Sequence, residues 1–328
     1  MPVLAMFLMP SAIQVEDAAK LTLPSAATVT AWEAERERIA GLWRGVLGPD
    51  PEPRCDLAPV VLESERVGDV LRTRLSLQVE PECRMECYLL RPVALSKPAP
   101  GVVVLHSTVD YTIRQPAGLE GPEDLHIGLR LAEQGYVALC PRCFLWDYAG
   151  AQTYDQAAQT LLATHPGWTG LAKMIFDATR AVDYLASLPD VDPLRIGCIG
   201  HSLGAKEALF LSAFDARIGA AVSSEGGVGL GFSNWDAPWY LGPQIHEPTF
   251  ARENHEVLAL VAPRPFLLIG GGSADGEASR PFVNAASTVY RLYGAEDLLV
   301  LFVHDQGHAF PPSAQAQAYG WLRRHLGP

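Results

Sequence analysis

The chain has 328 residues, 48% of them hydrophobic and 19% charged, with a net charge of −12. That length and apolar content suffice for a large buried core in one domain. The acidic balance argues against nucleic acid or an anionic membrane as a partner, because both reward clustered Lys and Arg.

The opening "MPVLAMFLMPSA" is apolar but has no basic residue ahead of it, so it reads as a poor secretory signal. No run approaches the roughly 18 apolar residues of a membrane span. A cytoplasmic protein is the expectation. Next comes "TAWEAERERIAGLWRGVLG", with a capping box of Thr30 and Glu33 and an apolar stripe of Trp32, Ile39, Trp43 and Val46. It predicts a surface helix stopped at Gly48-Pro49, within an N-terminal helical extension over residues 1–54.

After the Pro-rich break at 49–53, strand-like runs appear at 59–66, 70–79 and 84–91. In the second, Leu71, Thr73, Leu75, Leu77 and Val79 alternate with polar neighbours, as in a half-exposed antiparallel strand. From residue 101 the texture changes to short, wholly apolar runs: "GVVVLH", "YVALC", "RIGCIG", "IGAAVSS", "PFLLIG" and "LLVLFV". Helical stretches at 122–134, 170–187, 203–213, 280–293 and 313–326 separate them. This pattern predicts an α/β fold: a mostly parallel sheet covered by helices on both faces, with an antiparallel edge, over residues 55–328. Connections at 141–168 and 225–252 are too long for turns and read as lid-like insertions at strand C-terminal ends. The six cysteines include the pairs Cys83/Cys87 and Cys140/Cys143, without the partner spacing of a zinc site; they read as buried thiols.

"GCIGHSLGAKEALFLSAF" carries the chemistry. Gly200-His201-Ser202-Leu203-Gly204 fits G-x-S-x-G between a strand and a helix, where the close approach of the two demands glycines beside an outward-held serine. Ser202 is the candidate nucleophile and needs a base. His308, in "HDQGHAFPP" between the last strand and last helix, is the choice. Asp275, in "GGGSADGEAS", follows the preceding strand and supplies the orienting carboxylate; Glu225, in "VSSEGG", is the alternative acid. Backbone N–H groups of Leu203 and of Ser107 or Thr108 are the expected oxyanion donors. His106 and His201 flank this region. The insertions contribute Phe144, Trp146, Tyr148, Tyr154 and Trp168, and Phe232, Trp235, Trp239 and Tyr240, which suggest an apolar or sugar-stacking wall. Arg114 and Arg142 are candidates to meet a substrate carboxylate.

On "GHSLG", "VVVLHS", "SADG", "GHAFPP" and "ENHEVLALVAPRPFLLIGG", the chain resembles the α/β-hydrolase superfamily over roughly residues 55–328. It is most similar to the dienelactone-hydrolase and acetyl-xylan-esterase-like branch. The resemblance implies an eight-stranded sheet, a Ser202–Asp275–His308 triad and no cofactor or metal. His106-Ser107 stands where the family often has His-Gly, and Ser202 stands where a dienelactone hydrolase proper has cysteine. Some glucuronoyl-esterase-like members place the acid after the sixth strand, which keeps Glu225 as the alternative. The expected activity is carboxylic-ester hydrolysis through an acyl-enzyme, on a small-molecule ester and with a homo-oligomer allowed. The alternatives are an amide or peptide bond hydrolase and a non-catalytic binding protein on the same scaffold.

Overall fold

The structure is a computed structural model that describes residues 21–24, 27–49, 54–146 and 153–328. The "MPVLAMFLMPSA" stretch, Tyr148 and most of the 49–53 break lie outside the described residues. Strands β1 (Val60–Val67), β2 (Val70–Glu80), β3 (Cys83–Pro92), β4 (Ala99–Leu105), β5 (Val137–Pro141), β6 (Val191–His201), β7 (Ile218–Ser224), β8 (Phe266–Gly270) and β9 (Leu299–Val303) form one sheet. Their order is β1-β2-β3-β5-β4-β6-β7-β8-β9, so there are nine strands where eight were expected. β1, β2, β3 and β5 pair antiparallel, while β5, β4 and β6 to β9 run parallel.

The apolar runs are strands buried on both faces. In β4, Val103 and Leu105 enter one core, while Val102 and Val104 enter the other. Helix α2 (Ile127–Glu133) and helix α8 (Pro312–His325) cover the second face. Helices α1 (Val29–Leu47), α3 (Tyr154–Thr164), α4 (Gly170–Ser187), α5 (Leu203–Phe214), α6 (Asn254–Val261) and α7 (Arg280–Leu292) serve the first. The predicted half-exposure of β2 does not hold. Its other face buries Arg72, whose guanidinium is satisfied by Glu65 at 2.7 Å and the Ala117 carbonyl at 2.9 Å.

The first helix is capped two residues earlier than its sequence suggests. The Thr28 hydroxyl accepts from Ala31 N–H at 3.2 Å, and Thr30 lies inside α1. Trp32, Ile39 and Trp43 are buried as expected, and the stripe ends on Leu47 with Val46 only half-buried. The helix is joined to the main core: Trp43 packs on Phe210 of α5 at 5.4 Å, and its indole N–H donates to Glu256 of α6 at 3.0 Å. Helix α3 was not expected. Its starting residue is held by Thr153, whose hydroxyl accepts from Gln156 N–H, and only Ala157, Ala158 and Leu161 are buried. So short a stripe, inside an aromatic-rich segment, carries little periodic signal. The insertion after β7 has 3₁₀ turns at Leu230–Phe232 and Pro243–His246, but otherwise stays irregular until α6.

Candidate active site

The parallel strands deliver their C-terminal ends to one edge of the sheet, where ligands bind in open α/β folds. Ser202 stands there between β6 and α5, with φ 59° and ψ −114°. A residue with a side chain rarely adopts a left-handed φ unless its surroundings enforce it. Here they do. A Cβ on Gly200 would lie 2.0 Å from the Gly204 carbonyl oxygen, and one on Gly204 would lie 2.2 Å from that of Leu105. The Ser202 N–H is tied to the Ser224 carbonyl at 2.9 Å. Leu203 opens α5, so its N–H belongs to the first turn, which has no acceptor within the helix.

His308 sits on the loop after β9. That loop is fastened to the one after β8 by His304 N–H on the Gly270 carbonyl at 2.8 Å and Gly307 N–H on that of Gly271 at 3.0 Å. The His308 side chain is 35% exposed, and its Nδ1 lies 3.3 Å from a carboxylate oxygen of Glu225, whose side chain is fully buried. The carboxylate facing the imidazole is that of Glu225, the alternative acid of the sequence reading. Asp275 is buried as well. Its oxygens accept from Gly227 N–H at 2.7 Å, Val228 N–H at 2.8 Å and the Ser279 hydroxyl at 2.8 Å. Burial raises the Asp275 carboxyl above its usual pKa despite those donors.

The two loops exchange hydrogen bonds. Glu225, after β7, accepts from Gly271 N–H and from Ala274 N–H at 2.7 Å, both on the loop after β8. Asp275, at the end of that second loop, accepts from the turn that follows Glu225. Glu225 itself has φ 57°, a second left-handed residue at this edge.

Two buried histidines brace the edge. His201 meets the Ser224 hydroxyl at 3.1 Å and the backbone of His308, with ring centroids of the two histidines 5.0 Å apart. Burial, reinforced by His308 and His304, holds it down at about 3. His106 spans the Ser107 carbonyl at 2.7 Å and Cys143 N–H at 3.1 Å. Burial takes it to about 4, so both rings are neutral at neutral pH. They join loops rather than exchange protons.

Several expected contacts fall elsewhere. The Ser107 N–H already donates to the Gln115 side chain at 3.2 Å, which leaves Thr108, exposed on the same loop, as the second candidate donor. Arg114 is engaged by Glu120 at 2.6 Å on the surface, and Arg142 lies 3.7 Å from Glu86. Trp235 and Tyr240 are buried, so they are packing beneath the insertion and not an open wall; the Trp235 indole donates to the Gly227 carbonyl at 2.7 Å. Trp146, Tyr154 and Trp239 are half-buried and stack edge-to-face in series from His106, at 5.2, 5.0 and 5.6 Å. The sequence reading passed over Lys206, although a lysine in the apolar run "LGAKEALFLSAF" was a visible signal. Gln115 offered none. None of the six cysteines forms a disulfide, and among the described residues no cluster of three or more His, Cys, Asp or Glu side chains has the arrangement to hold a metal.

Comparison with known proteins agrees with this construction. Residues 85–263 match the dienelactone hydrolase family. YtaP of Bacillus subtilis (strain 168), whose name places it among hydrolases, is 26% identical over 303 residues, covering 88% of this chain and 99% of that one. A glucuronoyl esterase from Solibacter usitatus superposes with a TM-score of 0.74 over 98% of each chain at 19% identity. A glucuronoyl esterase from Teredinibacter turnerae T7901 gives 0.73 over 96% of this chain and 92% of that one at 20% identity. With an α/β-hydrolase sheet and a glycine-flanked serine at its edge, the chain belongs to the dienelactone hydrolase family and is an ester hydrolase.

Proposed function

We propose that the protein is a serine carboxylic-ester hydrolase working through an acyl-enzyme, with Ser202 as nucleophile, His308 as base and Glu225 as the orienting acid. The observation that carries this reading is the elbow: Ser202 is held in a left-handed conformation at the sheet edge where the His308–Glu225 pair also ends. His308 Nε2 takes the hydroxyl proton as Ser202 Oγ bonds to the ester carbonyl carbon. The tetrahedral oxyanion is stabilised by N–H groups of Leu203 and Thr108; one such donor typically contributes about 2.7–4 kcal/mol. His308 then gives its proton to the departing alcohol oxygen, and a water attacks the acyl group by the reverse path. Glu225 holds the Nδ1 side and stabilises the imidazolium.

The half-buried series Trp146, Tyr154 and Trp239 abuts His106 at the end of the oxyanion strand, and rings there suit a sugar or aromatic face. Together with the names of the structural neighbours, this favours esters carried on carbohydrates. A fluorophosphonate probe tests the reading: it labels Ser202 in the parent protein and not in Ser202→Ala, whose kcat falls by on the order of 10⁴–10⁶. A folded parent protein that takes no label overturns it. A parallel panel of acetyl, aryl and glucuronate esters with matched amides then separates ester from amide hydrolysis.

A further inference from the structure

Helix α5 carries one buried pair of ionisable residues, Lys206 and Glu207, and Lys206 stands one turn after Ser202. Only 3% of it is exposed. A buried ammonium needs strong partners to remain in an apolar helix. Lys206 Nζ donates to the Gly226 carbonyl at 2.5 Å and to the Ser233 hydroxyl at 2.8 Å. The rings of Trp235 and Tyr240 lie beside it, 5.0 and 5.1 Å from Nζ to their centroids. Every one of these partners belongs to the insertion after β7. The first is the carbonyl of the peptide joining Gly226 to Gly227, one residue beyond Glu225.

That peptide lies in a turn whose shape is unfavourable by itself. Glu225 has φ 57° and Gly227 has φ 81°. Such backbone persists only where its surroundings over-determine it, and its neighbours supply the constraint from several sides. Asp275 takes the N–H groups of Gly227 and Val228, Trp235 donates to the Gly227 carbonyl, and Lys206 takes the Gly226 carbonyl. Of these groups, only Lys206 is anchored on the nucleophile helix. The Ser202 N–H holds the Ser224 carbonyl on the near side of Glu225, and Lys206 holds the Gly226 carbonyl on the far side.

We propose that Lys206 is a positioning residue: by gripping the Gly226 carbonyl from α5 it sets the turn from which Glu225 reaches His308. This rests on Glu225 being the acid of the triad. A methionine would fill the same space without a donor, and in a purely packing role it would serve as well. What it would lose is the hold on the turn, and the Gly226 carbonyl would be left buried without that partner.

The test compares Lys206→Met with Glu225→Gln and the parent enzyme on one activated ester. Two readouts are followed: kcat against KM, and the far-downfield proton resonance of the His308 Nδ1–H. Lys206→Met is expected to lower kcat about 10- to 100-fold through misplacement of the acid, with KM changed by less than about threefold. The downfield resonance shifts or disappears.

A rise in KM with kcat and resonance unchanged means that Lys206 touches substrate instead, and parent-like values throughout mean that it only packs; either result overturns the proposal. If Lys206→Met does not fold, Lys206→Leu, which likewise carries no donor, is read in the same two ways. Should Glu225→Gln retain parental activity, the assignment of the acid fails and this inference with it. Should Glu225→Gln be inactive while the Lys206 variants are silent, only this inference fails.

Discussion

Glu225 and Asp275 occupy near-equivalent surroundings. Both carboxylates are buried, both follow neighbouring parallel strands, and each takes two backbone N–H groups from the other's loop. They part at the third contact. Glu225, one methylene longer and set on a left-handed backbone, reaches a histidine that faces solvent; Asp275 is closed off by the Ser279 hydroxyl. Burial and amide donors are thus common to the carboxylate that meets His308 and to one that only fastens loops, and the histidine contact separates them.

That distinction can be broken by exchanging the chemistry of the two sites. Glu225→Gln should lower kcat by on the order of 10⁴, as when a triad histidine loses the carboxylate that fixes its tautomer. Steady-state kinetics of Asp275→Asn beside it should show a far smaller loss; the opposite ranking would restore Asp275 as the acid. Glu225→Asp keeps the charge but withdraws it by a methylene, and a drop in kcat of about 10² with little change in KM is expected from that misplacement.

Asp275→Asn should instead register in stability. An amide group cannot accept at both ends, so one of the Gly227 and Val228 N–H groups is left unpaired, a loss of about 1–3 kcal/mol in urea unfolding. Unchanged stability would mean that the clasp between the loops is dispensable.

A dependence on pH sharpens the comparison by asking what the neighbouring neutral group does. His201 is held at about 3 in the folded protein, against 6.5 ordinarily. Below pH 6.5 the unfolded chain takes up a proton that the folded chain refuses, so stability from this group is present above pH 6.5 and falls as pH drops toward 3. Replacing it with asparagine should flatten the stability profile in that window by about 1.4 kcal/mol per pH unit relative to the parent. Parallel profiles for the two proteins would show that His201 titrates in the fold.

Much of this edge was legible in sequence because backbone sterics wrote it there. Gly200 and Gly204 are required by contacts of 2.0 and 2.2 Å, and such a requirement leaves a residue-type signature. His308 was legible from its place between the last apolar run and the last helix. The acid was not, because Glu225 and Asp275 both end apolar strands, and the decision depends on hydrogen bonds crossing between loops some 50 positions apart. The same holds for Ser107, whose N–H is taken by a glutamine eight positions away with no motif around it. Trp235 and Tyr240 looked like substrate-facing aromatics, but their burial follows from packing around Lys206, which single-residue chemistry does not announce.

The docking of α1 bears on how far the protein can be trimmed. Trp32 and Trp43 are fully enclosed, and the second rests on the nucleophile-bearing helix itself. A polypeptide begun at residue 55 would open an apolar trough over Phe210 and leave Glu256 without its indole donor, inviting self-association before any chemistry was touched. The two indoles also provide an intrinsic gauge, since a red shift of their emission would report undocking of the leading helix ahead of global unfolding.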